Sequence, residues 1–544
     1  MNKNSRTTLV AVFMLIGLGI VAELAIIAFL PGRGVPYYGL QGLPAAIFKG
    51  ADDDKISYTM SLIESLYVDP VSADSLAEIA IPLILRELDP HSVYIPAAEL
   101  AETNEPLEGN FDGIGVMFNM LTDTVVVLNV IPLGPSDKAG VQNGDRIVRI
   151  DDSLVAGRKI RQDDIVKRLR GARGTTVTLG IERSGNQQLV PIVVERGVIP
   201  IKAIDAAFMI RPGVGFVKLS TFSRVSFVEL QRALSELTKQ GMESLIFDLR
   251  GNGGGYLDQA IAIANMFLPA DELIVYTEDR NGHQIKEFSN GNGSFTTLPL
   301  VMLIDEGSAS SSEILAGAIQ DNDRGTIVGR RSFGKGLVQR EIQYPDGAAL
   351  RLTVARYYTP AGRSIQKPYD KGADEYHMDI ANRFYHSEMF SADSIRQQDT
   401  VRYFTRAGRV VYGGGGIMPD HFVSIDTLGY TAYLDRVSDL NLIYRFTLDW
   451  GDRHRERMNS IASVADLDAM FAAAPDLVND FVSYAARNGV HPDYKDIAIS
   501  RRVIEAQLRA LIGRNTALDY TGFYAEIYPI DSTIGKALEV LESK

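Results

Sequence analysis

Leu300-Val-Met-Leu-Ile304, Gly307-Ser-Ala-Ser-Ser-Ser-Glu313 and Ile314-Leu-Ala-Gly-Ala-Ile319 follow one another closely, and their order decides how the centre of this chain folds. The apolar run reads as a buried strand, and Ile314, Leu315, Ala318 and Ile319 recur at helical spacing. Strand, tight turn and helix are therefore expected in succession. A side chain on such a turn stands at the end of a sheet, beside the unpaired N–H groups of the first helical turn, which can stabilise an oxyanion. Ser310 is the best-placed nucleophile. The competing reading is a capping box, in which Ser310 only accepts a backbone hydrogen bond and Glu313 returns one.

Further along, Lys335 lies between Gly334 and Gly336, after an expected strand Thr326–Gly329. A lysine flanked by glycines gains no packing from its neighbours. Exposed, its pKa is about 10.4 and it cannot act as a base at neutral pH; burial disfavours the charge and lowers that value. A desolvated Lys335 can then take the proton of Ser310. None of the seven histidines lies between the serine cluster and the lysine, which disfavours a histidine base. Gly329-Arg-Arg-Ser-Phe-Gly334-Lys335 also fits the first seven places of a phosphate-binding loop. The eighth is Gly336, where Ser or Thr is needed for magnesium, and Leu337–Ile342 reads as a strand rather than a helix, so a nucleotide site is rejected.

Residues 307–321 and 328–339 together resemble the C-terminal processing proteases, also called tail-specific proteases: serine peptidases with a Ser-Lys dyad and a PDZ domain. The resemblance implies Ser310 as nucleophile, Lys335 as base, Gln339 as the residue that orients the lysine, and Asp321 as an acid linked to the site. The family usually has alanine where this chain has Ser311. A second landmark is the expected strand Ser244–Leu249 followed by Arg250-Gly-Asn-Gly-Gly-Gly255, whose glycines allow close backbone approach. The resemblance implies an oxyanion hole from Gly254 and the N–H of Ser311. Leu88-Asp-Pro-His-Ser92, Tyr358–Gln366 and Tyr412–Asp420 also match family stretches, with His91 read as structural.

Residues 109–197 read as a separate β-rich module. Phe111-Asp-Gly-Ile-Gly-Val-Met-Phe118, Gly144-Asp-Arg-Ile-Val-Arg-Ile150, a helical stretch Gln162–Arg170 and Gly174–Arg183 resemble a PDZ domain of the circularly permuted bacterial type. Its chemistry is strand addition, in which an extended peptide joins the sheet edge and backbone N–H groups hold its terminal carboxylate. Gly113, Ile114, Gly115 and Val116 are expected to form that loop beside an apolar wall, so the expected partners are proteins or peptides with apolar C-termini. Related proteases imply Arg170 as a switch contact, on a helix end facing the protease core.

The chain has 544 residues, 46% of them hydrophobic, enough for three or four domains with filled cores. A net charge of −13 argues against nucleic acid as a partner. The absence of cysteine excludes disulfides, thiol catalysis and thiolate metal sites; no spaced ligand set suggests a metal, and no cofactor is expected. Leu9–Leu30 is apolar apart from Glu23, close to the roughly 20 residues that span a bilayer, and Lys3 and Arg6 precede it. This predicts a single-pass inner-membrane anchor in a bacterium with periplasm-facing catalytic domains; the alternative is a periplasmic protein after signal cleavage.

The expected fold class is multidomain α/β. A cytoplasmic stretch 1–8 and the segment 9–30 lead to a helical region 47–108, with Leu62, Ile63, Leu66 and Tyr67 at helical spacing. The module 109–197 is inserted before a core at 198–425, where strands and helices alternate; the resemblance makes this core crotonase-like or ClpP-like, with a polar insertion at 367–401. A helical extension follows at 426–544, in which Val503, Ile504, Leu508 and Leu511 share a face, its role open between homo-oligomerisation or adaptor contact, a lid, and plain packing. Two functions compete: a serine endopeptidase of the C-terminal processing type whose PDZ reads the substrate tail and gates activity, and a catalytically silent PDZ scaffold or adaptor.

Overall fold

The computed structural model describes residues 55–543 apart from 121–122, 184–185, 396–399 and 474–475. The chain divides into two compact units, Met1–Ile79 and Ala80–Lys544. In the first, helix Lys55–Leu66 carries Leu62 and Ile63, and none of its residues is fully buried.

The second unit is organised by a six-stranded sheet in the order Ile204–Arg211, Val214–Leu219, Ser244–Asp248, Leu300–Ile304, Thr326–Gly329, His421–Phe422. The first pair is antiparallel and the remaining pairs are parallel. Strand alternation divides the side chains between two cores. Val217, Phe247, Met302 and Ile327 lie in register on one face, under helices Ser226–Lys239, Leu257–Phe267 and Ser311–Asp321. Phe216, Ile246, Val301, Leu303 and Val328 point the other way. That second face is covered by the C-terminal extension, through Ala525 of helix Tyr520–Ile527 and Ile534, Ala537, Leu538 and Val540 of helix Ser532–Glu542. A sheet apolar on both faces must be covered on both, and the extension supplies the second layer.

A smaller sheet pairs Ala349–Tyr358 with Val93–Ile95, Leu273–Asp279 and Leu337–Gln343. The β-rich module has its own sheet, Val116–Asn119, Val125–Val130, Arg146–Ile150, Thr176–Glu182, Val190–Glu195, and its own core around Val127, Ile147, Ile165, Leu179 and Val194. Val116–Asn119 lies at its edge. The extension forms a further core around Phe446, Trp450, Phe481, Ile504 and Leu508, with Val503 and Leu511 partly buried against it. The architecture is multidomain α/β with a β-rich insertion and flanking helices.

The expected membrane anchor, and with it the single-pass inner-membrane location and the membrane as partner, is corrected. Among the described residues no helix is long and apolar enough to cross a membrane. The longest, Tyr494–Arg514, is broken up by Lys495, Asp496, Arg501, Arg502, Glu505 and Arg509. The segment 9–30 lies outside the described residues.

Candidate active site

Ser310 sits at the N-cap of helix Ser311–Asp321 with φ 55° and ψ −115°, a backbone conformation that L-residues rarely hold without support. The neighbouring hydroxyls supply it. Ser308 Oγ donates to the carbonyl of Leu249 (2.9 Å), Ser312 Oγ to that of Asn252 (2.8 Å), and Ser311 Oγ to that of Gly255 (2.9 Å). The N–H of Ala309 also donates to the carbonyl of Asn252 (2.9 Å). The serine-rich run thus fastens the turn to the glycine loop on both sides of Ser310, which lines a cleft of about 580 Å³ together with Lys335, Gln339, Glu108, Arg224 and Tyr256.

The glycine loop is shaped by buried charge. Asp248 takes the Arg250 guanidinium through both oxygens and also pairs with Lys218 (3.3 Å). Gly254, at φ +100°, passes so close to the serine turn that a Cβ would come within 2.8 Å of Ser310 Cβ and of the Ala309 carbonyl. Its N–H donates to Asn252 Oδ1 (2.8 Å). The glycines lining the cleft are Gly253 and Gly255.

Lys335 is half-buried, and its Nζ donates to Gln339 Oε1 (3.0 Å). Burial, and secondarily the Arg351 charge, lower its pKa, against opposing pulls from Asp89 and Glu313. Gln339 in turn donates to the backbone carbonyl of His91. The His91 ring bonds the Tyr376 hydroxyl (2.7 Å), and burial pushes its pKa down to about 4. Distance in sequence therefore understated how close His91 lies to Lys335, to which it is linked by its carbonyl through Gln339. No hydrogen bond joins Ser310 Oγ to Lys335 Nζ among the described residues.

Glu313 ties the two halves together. Its fully buried carboxylate accepts from the N–H groups of Ser310 (2.9 Å) and Lys335 (2.9 Å) at Oε2, and from Ser332 Oγ (2.5 Å) and the N–H of Gly334 (2.7 Å) at Oε1. Desolvation outweighs these bonds and pushes its pKa up to about 7. The capping-box pattern pointed to Glu313, but only to one of its four partners. The Tyr357 hydroxyl, buried beneath, lies within hydrogen-bond reach of the carbonyls of Lys335 (2.5 Å) and Ser310 (3.1 Å). Helix Ala373–Tyr385 also reaches the segment before Lys335: Arg383 donates to the carbonyls of Ser332 (2.7 Å) and Phe333 (3.1 Å).

Asp321 closes the far end of the serine helix, roughly 16 Å along its axis from Ser310, where it is fully buried against Arg363 (2.7 Å). In the β-rich module the carbonyls of Ile114 and Gly115 accept from the N–H groups of Ser136 (2.9 Å) and Ile131 (3.1 Å), Gly113 pairs with Gly197, and Val116 begins the edge strand. Arg170 pairs with Glu105 (2.6 Å) of helix Ala97–Glu108 and stacks on Phe111. Its ion-pair partner is that helix rather than the protease core. Glu108, at the helix end, accepts from Tyr256 (2.7 Å) and Arg224 (2.8 Å) at the cleft.

Peptidase family S41 matches residues 213–374, PDZ domain matches 113–194, and a family of unknown function matches 433–517. Over 309 residues the chain is 38% identical to a carboxy-terminal-processing protease of Bartonella bacilliformis, covering 56% of this chain and 70% of that protein. It is 37% identical to a carboxyl-terminal-processing protease of Synechocystis sp., covering 53% and 68%, and 34% identical to carboxy-terminal processing protease CtpB of Bacillus subtilis, covering 58% and 65%. A solved photosystem II D1 C-terminal processing protease is 26% identical, with a TM-score of 0.35, covering 71% of this chain and 95% of the other. The chain belongs to the carboxy-terminal-processing proteases of peptidase family S41, serine endopeptidases in which a PDZ domain recognises the substrate.

Proposed function

We propose that this chain cuts protein tails with Ser310 as nucleophile and Lys335 as general base. The observation that carries the reading is the shared support: the backbone N–H groups of Ser310 and Lys335 donate to the same buried oxygen of Glu313, beside a cleft that both residues line. Neutral Lys335 takes the Ser310 proton as Oγ attacks the scissile carbonyl, then returns it to the leaving amine. Water, deprotonated by the same lysine, clears the acyl-enzyme. The Ser311 N–H and a glycine-loop N–H hold the tetrahedral oxyanion. In the arrangement described, Gly254 N–H is engaged by Asn252 and Lys335 Nζ by Gln339. Competence requires Gly254 N–H to be released and the lysine to turn toward Ser310.

The tail enters by adding to the edge strand Val116–Asn119, with its carboxylate received by Gly113–Val116 and its last apolar side chain beside them. Docking activates only if the tail binds the competent arrangement more tightly than the resting one. Arg170–Glu105 and Glu108–Tyr256 lie on one helix between module and cleft and would carry that bias. The chain is read as helical region 47–108, PDZ 109–197, core 198–425 with the 367–401 insertion, and extension 426–544. The core is read as crotonase-like or ClpP-like, which its parallel strands and serine helix support. The test is hydrolysis of a short reporter that cannot reach the PDZ, with and without an uncleavable apolar-tailed peptide. Stimulation by the peptide is expected. Full reporter activity without it, unchanged on its addition, would leave the PDZ as a tether only, and no hydrolysis of any tailed protein would favour the silent scaffold.

A further inference from the structure

We infer that Asp531, in the C-terminal extension, is a positioning residue for the peptidase reaction, holding the glycine loop against Ser310 through Arg250; the inference rests on the function proposed above. Asp531 caps the last helix, its Oδ1 accepting the N–H groups of Thr533 (2.9 Å) and Ile534 (3.0 Å). The same carboxylate takes the Arg250 guanidinium, Nη1 to Oδ1 at 3.1 Å and Nη2 to Oδ2 at 2.9 Å. Asp248 takes the adjacent edge of that guanidinium, Nε and Nη2, so that Nη2 is shared by the two acids, and it also accepts the backbone N–H of Arg250 (2.9 Å). Lys218 completes the group, bonding both Asp248 and the Arg250 carbonyl.

Two acids and two bases therefore balance in a site where the Arg250 and Asp531 side chains are 17% and 19% exposed and those of Asp248 and Lys218 are nearly inaccessible. At such burial, removing one acid leaves a surplus positive charge with little water to screen it. Arg250 would have to move, and it opens the loop whose next residues touch the nucleophile. The carbonyl of Asn252 holds Ala309 and Ser312, and Gly254 lies in contact with Ser310. The final helix is thus joined both to the second face of the sheet and to the loop beside Ser310.

Helix capping and loop positioning are separable, because asparagine caps a helix as well as aspartate but carries no charge for Arg250. The experiment compares wild type, Ser310→Ala, Asp531→Asn, Asp531→Ser and Asp531→Glu as full chains, measuring thermal unfolding, kcat and KM on an unfolded protein with an apolar C-terminus. Asp531→Asn is expected to unfold at a lower temperature than wild type, because Arg250 loses a partner, yet to stay folded at the assay temperature and to lose about tenfold or more in kcat, the scale of a small misplacement at a reacting centre. KM should change little, and Asp531→Glu should recover part of the loss. Should Asp531→Asn fail to fold, Asp531→Ser, which also caps, carries the same expectation. Wild-type kcat in a folded, uncharged variant, a change confined to KM, or a loss that only tracks the unfolded fraction overturns the inference. No hydrolysis by wild type would instead overturn the peptidase reading itself.

Discussion

Replacing Glu313 by glutamine removes one acceptor from a carboxylate that satisfies four donors. If the new NH2 takes the place of Oε2, the N–H groups of Ser310 and Lys335 both lose their partner. If it replaces Oε1, the Gly334 N–H is orphaned while the Ser332 hydroxyl can reorient. The milder case leaves one buried N–H unmet, a cost of about 1–3 kcal/mol, and the harsher one leaves two. Either way the segments carrying nucleophile and base lose their common tether, and kcat should fall roughly tenfold to a hundredfold. Glu313 also links stability to pH. Its pKa rises from 4.5 to about 7 on folding, so the folded chain holds the proton more tightly. Its contribution to stability is full below about pH 4.5 and is lost as pH rises through about 7, a change of about 3 kcal/mol. Activity has the opposite sign, because only the ionised carboxylate can accept from all four donors. Hydrolysis between pH 5 and 9, with denaturant unfolding across the same range, should show wild-type activity rising through about pH 7 as stability falls. In Glu313→Gln both of these Glu313-linked changes should vanish. Wild-type kcat and an unchanged pH profile in that variant would show that Glu313 does not tether the Ser310 and Lys335 segments.

Gln339→Glu places a carboxylate against Lys335 Nζ, favours the charged lysine and should move the lysine-linked rise of activity, as distinct from the Glu313-linked one, to higher pH by about a unit; an unmoved profile removes Gln339 from the support of Lys335. Gly254→Ala adds a Cβ at φ +100° within 2.8 Å of Ser310 Cβ. It should cost on the order of 2 kcal/mol in denaturant unfolding and most of the activity, and a wild-type-like variant would show that the loop is not held as tightly as described. Amidating the C-terminus of an apolar tail should weaken its binding in a fluorescence anisotropy titration; equal affinity would mean that Gly113–Val116 does not read the carboxylate.

The strand, turn and helix around Ser310 were legible because their pattern is local. A strand, a serine turn and a helix within Leu300–Asp321, and a lysine between two glycines, state their geometry in consecutive residues. Glu313 was legible only as half a cap, since three of its donors come from Ser332–Lys335 and reach it through the fold. The continuous apolar run Leu300–Ile304 read as a buried strand, but did not reveal that Ile534 and Leu538 cover one face of its sheet. An amphipathic helix declares a buried face without naming its neighbour, which is why the extension's role stayed open. Asp248 and Arg250 carried a readable signal in hindsight, two opposite charges at the end of a buried strand. For Arg170 the helix was read correctly, but its partner Glu105 lies in a different segment that no local pattern connects to it.

The most direct measurement is cleavage of an unfolded protein with an apolar C-terminus by wild type, Ser310→Ala and Lys335→Arg, each first shown to be folded by thermal unfolding. Arginine keeps its charge at any usable pH and cannot serve as the base. Wild type should cleave, with activity rising as pH increases through the lowered lysine pKa, and both variants should be inactive at every pH. Turnover at the wild-type rate by folded Lys335→Arg or Ser310→Ala would contradict the dyad.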